Sequence, residues 1–523
     1  MIRTKKYILL IALIVLTVVC GCLLRSGEPE IENVADVDRL PVLEPDITDI
    51  VIPPNIAPLN FKIMDKAGQY YVKLHAEDGA PITWHSRNNK VIFPIQKWAE
   101  LLTENRGREI TIDVYCKDEN DLWSRYKPVT LQVAQENIDD YLVYRIIHPA
   151  YRVWSNIGIY QRNLGTFEEK VILHNKTLDN ACLNCHSFHQ NNPQEMMLHL
   201  RGGPGTALLL AQNGVLKNIN TRTTFNASPA AYRDWHPNGK IIAFSVNKVA
   251  QFFHTVGETR DVYDTASDIV LYQIESNTIT SAPQVSLPNQ METYPAWSPD
   301  GRYLYFCRAP QPVVPEGQNF PYNSVFYELM RISYNADTNE WGEPEMLLPH
   351  AVTGGSITHP KISPDGRYVL YCLCRYGNFS IYRPESDLYL LDLESGENRR
   401  LSVNSERTES YHSWSGNGRW IVFSSKRQDG IMARPFFSYF DSDGEAHKPF
   451  MLPQEDPGFY DTFLKTYNLP EFVAGPITAT PQQLTRLAFA VDKVKNAALD
   501  PRLSQHIDTP DASSPWQSAP RAK

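Results

Sequence analysis

The residues with the clearest chemical potential lie in one short stretch, residues 179–186, which reads Asp-Asn-Ala-Cys-Leu-Asn-Cys-His. It places two thiols three positions apart, at Cys182 and Cys185, and an imidazole directly after them, at His186. A thiolate is a nucleophile and a soft metal ligand, and imidazole is the commonest metal ligand in proteins. The spacing therefore indicates a covalently held group, a metal ion or a redox-active dithiol.

The C-x-x-C-H order favours the first of these three possibilities, because it is the attachment pattern of c-type haem. Its two thiols reach the two vinyl groups of the porphyrin, and the adjacent histidine then lies beneath the iron. We expect one covalent haem c, with Cys182 and Cys185 as tethers and His186 as the proximal iron ligand. A thioredoxin-like dithiol, which needs a βαβ context, and a zinc site completed by His189 and His199 remain as alternatives.

The sixth iron ligand is open among four residues. In order of preference they are Met197, His199, Met196 and His189. Met196 shares a strand face with Leu198 and so resembles a core residue, whereas Met197 and His199 share the opposite face. Both methionines could instead only fill the interior of the domain.

The N-terminus has the layout of an export signal. Arg3, Lys5 and Lys6 precede an apolar run from Tyr7 to Leu24, which is short for a membrane span. The run ends in residues 19–22, Val-Cys-Gly-Cys, which resemble a bacterial lipoprotein signal; the resemblance implies Cys22 as the lipid acceptor. An uncleaved signal anchor is the alternative. Both interpretations place the chain in the bacterial cell envelope, membrane-anchored and facing the periplasm or the cell surface.

Composition narrows the remaining function classes. The chain has 523 residues with 59 acidic against 50 basic side chains, which gives a net charge of -9. A negative protein repels phosphate backbones, so this charge disfavours nucleic acid as a partner. Its 27 Tyr, 21 Phe and 38 Pro favour strands and turns. The other cysteines of the mature chain lie in strand-like runs and are expected to be buried free thiols: Cys116, Cys307, Cys372 and Cys374.

An internal repeat predicts the architecture. A strand, a tight turn ending in Gly and a second strand recur four times, at residues 232–244, 294–306, 359–371 and 411–423. A second hairpin follows in several copies, so each repeat forms a four-stranded blade. These repeats resemble the WD-like repeats of TolB-type β-propellers. The resemblance, with two fainter copies upstream, implies six blades, five or seven being alternatives. Aligning Phe188 with Trp297 puts Cys185 at the repeat position of Tyr294, which builds the haem site into a blade.

The predicted fold class is thus all-β, a six-bladed propeller preceded by a small immunoglobulin-like β-sandwich. The expected segments are a signal and anchor at 1–24, a tether at 25–50, the sandwich at 51–136, the propeller at 138–455 and a partly disordered extension at 456–523.

No nucleophile motif, phosphate loop or paired carboxylate accompanies the haem motif, so an electron carrier or binding protein is favoured over an enzyme. The leading hypothesis is one-electron transfer to or from a redox partner protein, with the propeller as a docking platform. The alternatives are an envelope scaffold with a structural or sensory haem, and a haem enzyme with an open distal site.

Overall fold

The computed structural model describes residue 31 and residues 34–149, 156–204, 207–226, 230–252 and 261–503. The expected signal and the lipidation site Cys22 lie outside the described residues. Among the described residues, no helix combines the length and the apolar character needed to cross a lipid bilayer.

A two-sheet domain precedes the propeller. A seven-stranded and a three-stranded sheet share one hydrophobic core. Its strands are β1 (Val34–Val37), β2 (Leu43–Glu44), β3 (Ile50–Ile52), β4 (Phe61–Ile63), β5 (Gln69–Ala76), β6 (Ile82–Ser86), β7 (Lys90–Val91), β8 (Glu109–Lys117), β9 (Trp123–Tyr126) and β10 (Val129–Val133). The helix α1 (Ile95–Glu104), which buries Trp98, Leu101 and Leu102, packs into the same core.

The segment expected to be a tether is part of this sandwich. Strand β1 pairs in parallel with β9, and β2 pairs with β4, so the folded domain begins by Val34 and not at residue 51. Three of the four residues of β1 are exposed, and such a strand has no alternating apolar pattern by which it could be predicted. Its position depends on hydrogen bonds to a strand almost ninety residues away along the chain.

The predicted all-β propeller is confirmed, and it has six blades. The strands of blades 1 to 3 are β11 (Tyr141–Ile147), β12 (Gly158–Asn163) and β13 (Glu169–His174); β14 (Cys182–Phe188), β15 (Met196–Arg201), β16 (Ala207–Gln212) and β17 (Val215–Asn220); and β18 (Ala230–Trp235), β19 (Ile241–Phe252), β20 (Asp261–Gln273) and β21 (Thr278–Thr280).

Blades 4 to 6 follow the same order from the inner to the outer strand. They consist of β22 (Gln290–Trp297), β23 (Tyr303–Pro310), β24 (Glu328–Asn335), β25 (Glu340–Trp341) and β26 (Glu345–Leu348); β27 (Ser356–Ile362), β28 (Tyr368–Cys374), β29 (Asp387–Asp392) and β30 (Asn398–Arg400); and β31 (Glu409–Trp414), β32 (Trp420–Ser425), β33 (Arg434–Tyr439) and β34 (Phe450–Met451). The short helix α2 (His350–Thr353) links blades 4 and 5.

The ring closes through the C-terminal part of the chain. Strand β35 (Thr466–Val473) pairs with β11 and supplies the innermost strand of blade 1. The propeller therefore extends well past residue 455, where the sequence analysis ended it. Beyond the last blade the chain forms α3 (Phe459–Thr462), α4 (Pro481–Phe489), β36 (Lys495–Asn496) and β37 (Ala498–Leu499). The last two strands add to the outer edges of blades 2 and 3, so this extension is integrated with the blades.

The repeated turns pack each blade against the next. Gly301 has a φ of +73°, and a Cβ atom there would lie 2.6 Å from the imidazole of His236 in the preceding blade. The same imidazole donates from Nε2 to the Gly301 carbonyl oxygen at 3.0 Å. Only glycine meets both requirements, the left-handed backbone and the close approach. A positive φ recurs at Gly239, Gly366 and Gly418, which explains why glycine ends each of the repeated turns.

One core joins the sandwich to the propeller. Trp420 and Val422 of blade 6 and Phe472 of the closing strand belong to the same buried apolar cluster as Ile112 and Leu131 of the sandwich. Removing that apolar surface from water favours a fixed arrangement of the two domains. The sandwich therefore packs against the propeller at the blades where the ring closes.

Candidate functional site

The innermost strands of the six blades share one irregular position. Each inner strand, or its partner strand in blade 1, shifts register there. Five of the six residues at this position have a positive φ, from +33° at Tyr232 to +55° at Tyr294. In chain order the six are Cys185, Tyr232, Tyr294, His359, Tyr411 and Leu469. Cys185 thus occupies the position in blade 2 that Tyr294 occupies in blade 4.

Four of these side chains form an aromatic plug, which we define as Tyr232, Tyr294, His359 and Tyr411. The ring centroids of Tyr232 and Tyr294 are 4.2 Å apart, those of Tyr294 and His359 4.1 Å, and those of His359 and Tyr411 5.0 Å. The Tyr294 hydroxyl donates to the carbonyl oxygen of Asn378. Positive φ values at bulky residues are strained and persist only where surrounding packing enforces them. The plug provides that packing.

A cavity of about 480 Å³ lies against the plug. Its walls come from all six inner strands and include Cys185, His186, Asp234, Trp235, Trp297, Lys361, Trp414 and Glu471. Apolar rings with a few convergent charged groups are typical of binding sites for small molecules or peptides.

The charged groups of the cavity come from three different blades. Lys361 Nζ donates to Asp234 Oδ1 at 3.0 Å, and the other oxygen of Asp234 accepts from the Trp297 N–H at 2.8 Å. Glu471 Oε1 accepts from the Phe188 N–H at 2.9 Å. Burial raises the pKa of Glu471 to about 7, although Lys361 and the Phe188 N–H act in the opposite direction. Glu471 can therefore change charge near neutral pH.

All three residues of the C-x-x-C-H motif lie on β14, the inner strand of blade 2. Cys182 and Cys185 are free thiols and are half-buried. The side chain of His186 has no exposed surface, and neither of its ring nitrogens has a hydrogen-bond partner. Burial, followed by the charges of Arg145 and Arg233, lowers the pKa of His186 to about 3. The imidazole is therefore neutral at physiological pH, as a metal ligand must be.

Cross-strand register separates the four candidate sixth ligands. His186 pairs with Leu198, and residues directly opposite in an antiparallel pair share one face. Leu198 and Met196 pack towards blade 1, whereas Met197 packs towards blade 3. His186 therefore shares its face with Met196, and the two residues that the sequence ranks first, Met197 and His199, lie on the opposite face.

The two remaining histidines differ in their partners. His189 bonds to Glu195 through Nδ1 and to the Pro237 carbonyl oxygen through Nε2 at 3.1 Å, so both of its ring nitrogens are engaged. His199 is 1% exposed, and neither of its ring nitrogens has a partner. Burial lowers the pKa of His199 well below its usual value, and Arg201, Arg233 and Arg222 add to this effect.

Comparison with known proteins finds distant likenesses among solved structures. No family model matches the chain, and no curated protein matches it. Among solved structures, it is similar to the β-propeller domain of the trilobed protease from Pyrococcus furiosus, with 12% identity, a TM-score of 0.31, and coverage of 66% of this chain and 83% of that one. An oligogalacturonate lyase from Vibrio parahaemolyticus matches with 10% identity, a TM-score of 0.31, and coverage of 55% and 85%.

Within the described residues, no group of three or more His, Cys, Asp or Glu side chains is placed to hold a metal ion. The zinc alternative, with His189 and His199 as further ligands, has no such cluster in this part of the chain. Cys116, Cys307, Cys372 and Cys374 are buried free thiols, as predicted.

The sequence analysis missed the charged residues of the cavity. They share one position in the repeat, directly before a large apolar residue of the inner strand. The three pairs are Asp234 before Trp235, Lys361 before Ile362 and Glu471 before Phe472. Residues 469–472, Leu-Pro-Glu-Phe, match residues 294–297, Tyr-Pro-Ala-Trp, in spacing and in the proline. This match was the available signal for both the closing strand and Glu471.

Proposed function

We propose that this protein is a membrane-anchored, extracytoplasmic c-type haem protein that transfers single electrons. The observation that carries the proposal is the C-x-x-C-H motif on the innermost strand of blade 2, where a buried imidazole has two nitrogens without a partner. A buried polar group without a partner is costly, and a bound metal or an ordered water would relieve that cost.

The donor set supports the iron of haem as that metal. Cys182 and Cys185 would form the thioethers, and His186, neutral because its pKa is low, would bind the iron. Haem held in this way supplies a one-electron redox couple. Leu198, the cross-strand partner of His186, is buried in the apolar cluster between blades 1 and 2, and a histidine on so rigid a strand pair would hold the iron with little reorganisation between redox states.

The location and partners follow from the sequence. The charged and apolar N-terminal segment, with Cys22 as the lipid acceptor, would anchor a TolB-like propeller to a membrane of the bacterial envelope. Covalent haem attachment outside the cytoplasm agrees with that export route. The partner would be a redox protein or another envelope protein, and the net charge of -9 disfavours nucleic acid.

Optical spectroscopy of the mature protein tests electron transfer against haem catalysis. We expect a low-spin spectrum on reduction that carbon monoxide does not change, because both axial positions of an electron carrier are filled. High-spin iron that binds carbon monoxide would contradict electron transfer and favour a haem enzyme.

A second candidate is an envelope binding module. The observation in its favour is the cavity of about 480 Å³ with three tryptophans and the Lys361–Asp234 pair. A haem-free mature protein that still captures an envelope partner, and loses it with Lys361→Met, would support this candidate. Unchanged capture by Lys361→Met would argue against the cavity as the binding site.

A further inference from the structure

Three arginines from three successive blades converge on the C-x-x-C segment. Arg145 of blade 1 donates from Nη1 to the Leu183 carbonyl oxygen at 3.4 Å. Arg233 of blade 3 donates from Nη1 to the Cys185 carbonyl oxygen at 3.1 Å. Arg201 of blade 2 is the direct cross-strand partner of Cys182. Nothing in the electron-transfer proposal requires three positive charges here.

Within this cluster, the charge of Arg233 is only partly compensated, by the buried carboxylate of Glu471. Arg233 is 6% exposed, and its Nε and Nη2 atoms have no partner. Neither Arg201 nor Arg233 forms an ion pair with another described residue. A guanidinium removed from water without an anion loses much of its hydration energy, so the folded chain keeps a strong preference for an anion at this place.

A nearby histidine adds one further unsatisfied donor. His199 lies on β15 opposite the register shift that contains Cys185, and both of its ring nitrogens are buried without partners. On β15, alternate residues share a face, so His199 and Arg201 point to the same side, towards blade 3. Arg222 lies nearby. Burial lowers the pKa of Arg222, and the positive charge of Arg201 adds to this effect. The cluster offers donors almost exclusively, and its complement is a ligand that only accepts hydrogen bonds.

We propose that Arg201, Arg233 and His199, with Arg145 beside them, form a binding site for an oxyanion of the carboxylate or phosphate class. Bidentate guanidinium contacts suit the oxygens of such a group. Two sources offer this chemistry: a diffusible anion, and the carboxylates of a haem attached at Cys182 and Cys185. The site itself does not depend on the haem, although the second source does.

Titration calorimetry with inorganic phosphate tests the proposal on the mature full chain, with chloride at equal ionic strength as the salt control. If a diffusible anion fills the site, we expect saturable phosphate binding that Arg233→Gln weakens about ten- to a hundred-fold, the range for loss of a charged hydrogen bond. If the haem carboxylates fill it, the same effect of Arg233→Gln is expected in a haem-free variant. Arg233→Lys keeps the charge and should weaken binding less. Arg125→Gln, which removes an exposed arginine of the sandwich, is the matched control and should bind as the wild type does.

A haem-free variant, Cys182→Ser with Cys185→Ser, separates the two sources. Phosphate binding by both proteins identifies a diffusible anion. Binding by the haem-free variant alone identifies the haem carboxylates as the occupant in the mature protein. Absence of binding in both proteins overturns the proposal, whether or not haem is present.

Protein stability gives an independent readout. Without phosphate, Arg233→Gln should raise the thermal midpoint, because it removes a buried and unpaired cation. An arginine with a purely structural role would instead lower the midpoint when replaced, and that result would contradict an anion site.

Discussion

His186 Nε2 lies 3.9 Å from Glu471 Oε2. His186 is on the inner strand of blade 2, and Glu471 is on β35, the strand that closes the ring from the far end of the chain. The backbone N–H of Phe188, two residues beyond His186, also donates to Glu471. The closing strand therefore lies directly against the histidine of the C-x-x-C-H motif.

The first prediction concerns ring closure. A chain that ends after residue 455, the boundary expected from the repeats, loses the inner strand of blade 1 and leaves the edge of β11 unpaired. We expect this chain to aggregate, because unpaired strand edges promote association. A chain that ends after residue 503 is the control and should remain monomeric by size-exclusion chromatography. A monomeric 455-residue chain with cooperative unfolding would contradict the account.

The second prediction concerns the aromatic plug. Tyr294→Ala removes a ring that is 4% exposed and contacts two others, and should cost about 3–5 kcal/mol of unfolding free energy. Tyr294→Phe keeps the ring and loses the hydroxyl, with its hydrogen bond to Asn378, and should cost about 1 kcal/mol. Urea titration of both variants measures the two costs. Equal losses would mean that the hydroxyl, and not the ring packing, supports the plug.

The third prediction concerns pH. Burial raises the pKa of Asp264 from 3.8 to about 7, against hydrogen bonds from Asn247 and Asn378 that favour the charged form. Between these pKa values the folded chain holds a proton that the unfolded chain has lost, so the free energy of unfolding falls as pH rises through this window.

Asp264→Asn should remove the part of this fall that Asp264 contributes, since an amide does not titrate. Glu471, whose pKa is also raised to about 7, should keep its own part. The measurement is the thermal midpoint at about pH 5 and about pH 8, where the wild type should lose more stability than the variant. Asp121→Asn, at a carboxylate that is 81% exposed, is the control and should follow the wild type. If Asp264→Asn also follows the wild type, Asp264 does not carry the pH dependence.

The fourth prediction concerns the sixth iron ligand. Met197 lies on the face of blade 2 opposite to His186, within the apolar cluster between blades 2 and 3. Met197→Leu conserves the volume and should leave the reduced optical spectrum and the reduction potential unchanged. A loss of the low-spin spectrum in Met197→Leu would show that this methionine binds the iron after all.

The blades could be predicted from sequence because their signals are local. A tight turn ending in Gly between two apolar strands appears four times in phase, and the position of Cys185 followed from aligning Phe188 with Trp297. The edge strand β1 and the closing strand β35 were missed because both are defined by pairing with distant segments. Residues 469–472 carried the repeat pattern without its Asp-Gly turn.

The site could be predicted only in part, for a related reason. Residue types and spacing identified Cys182, Cys185 and His186, since three neighbours in sequence suffice for that motif. The sequence predicted that Met196 and Met197 lie on opposite faces of their strand. It could not predict which of these two faces His186 shares, because the register shift at Cys185 decides that. The packing of three blades brings together Arg145, Arg201 and Arg233, so no local sequence pattern predicts this cluster.

The most direct test of the central claim is the intact mass of the mature protein, made in a host that matures c-type cytochromes and measured after denaturation. The account predicts a mass increased by one haem, a mass without that increase when Cys182 and Cys185 are both replaced by serine, and retention of the haem in Cys116→Ala. A bare polypeptide mass for the wild type would contradict the account.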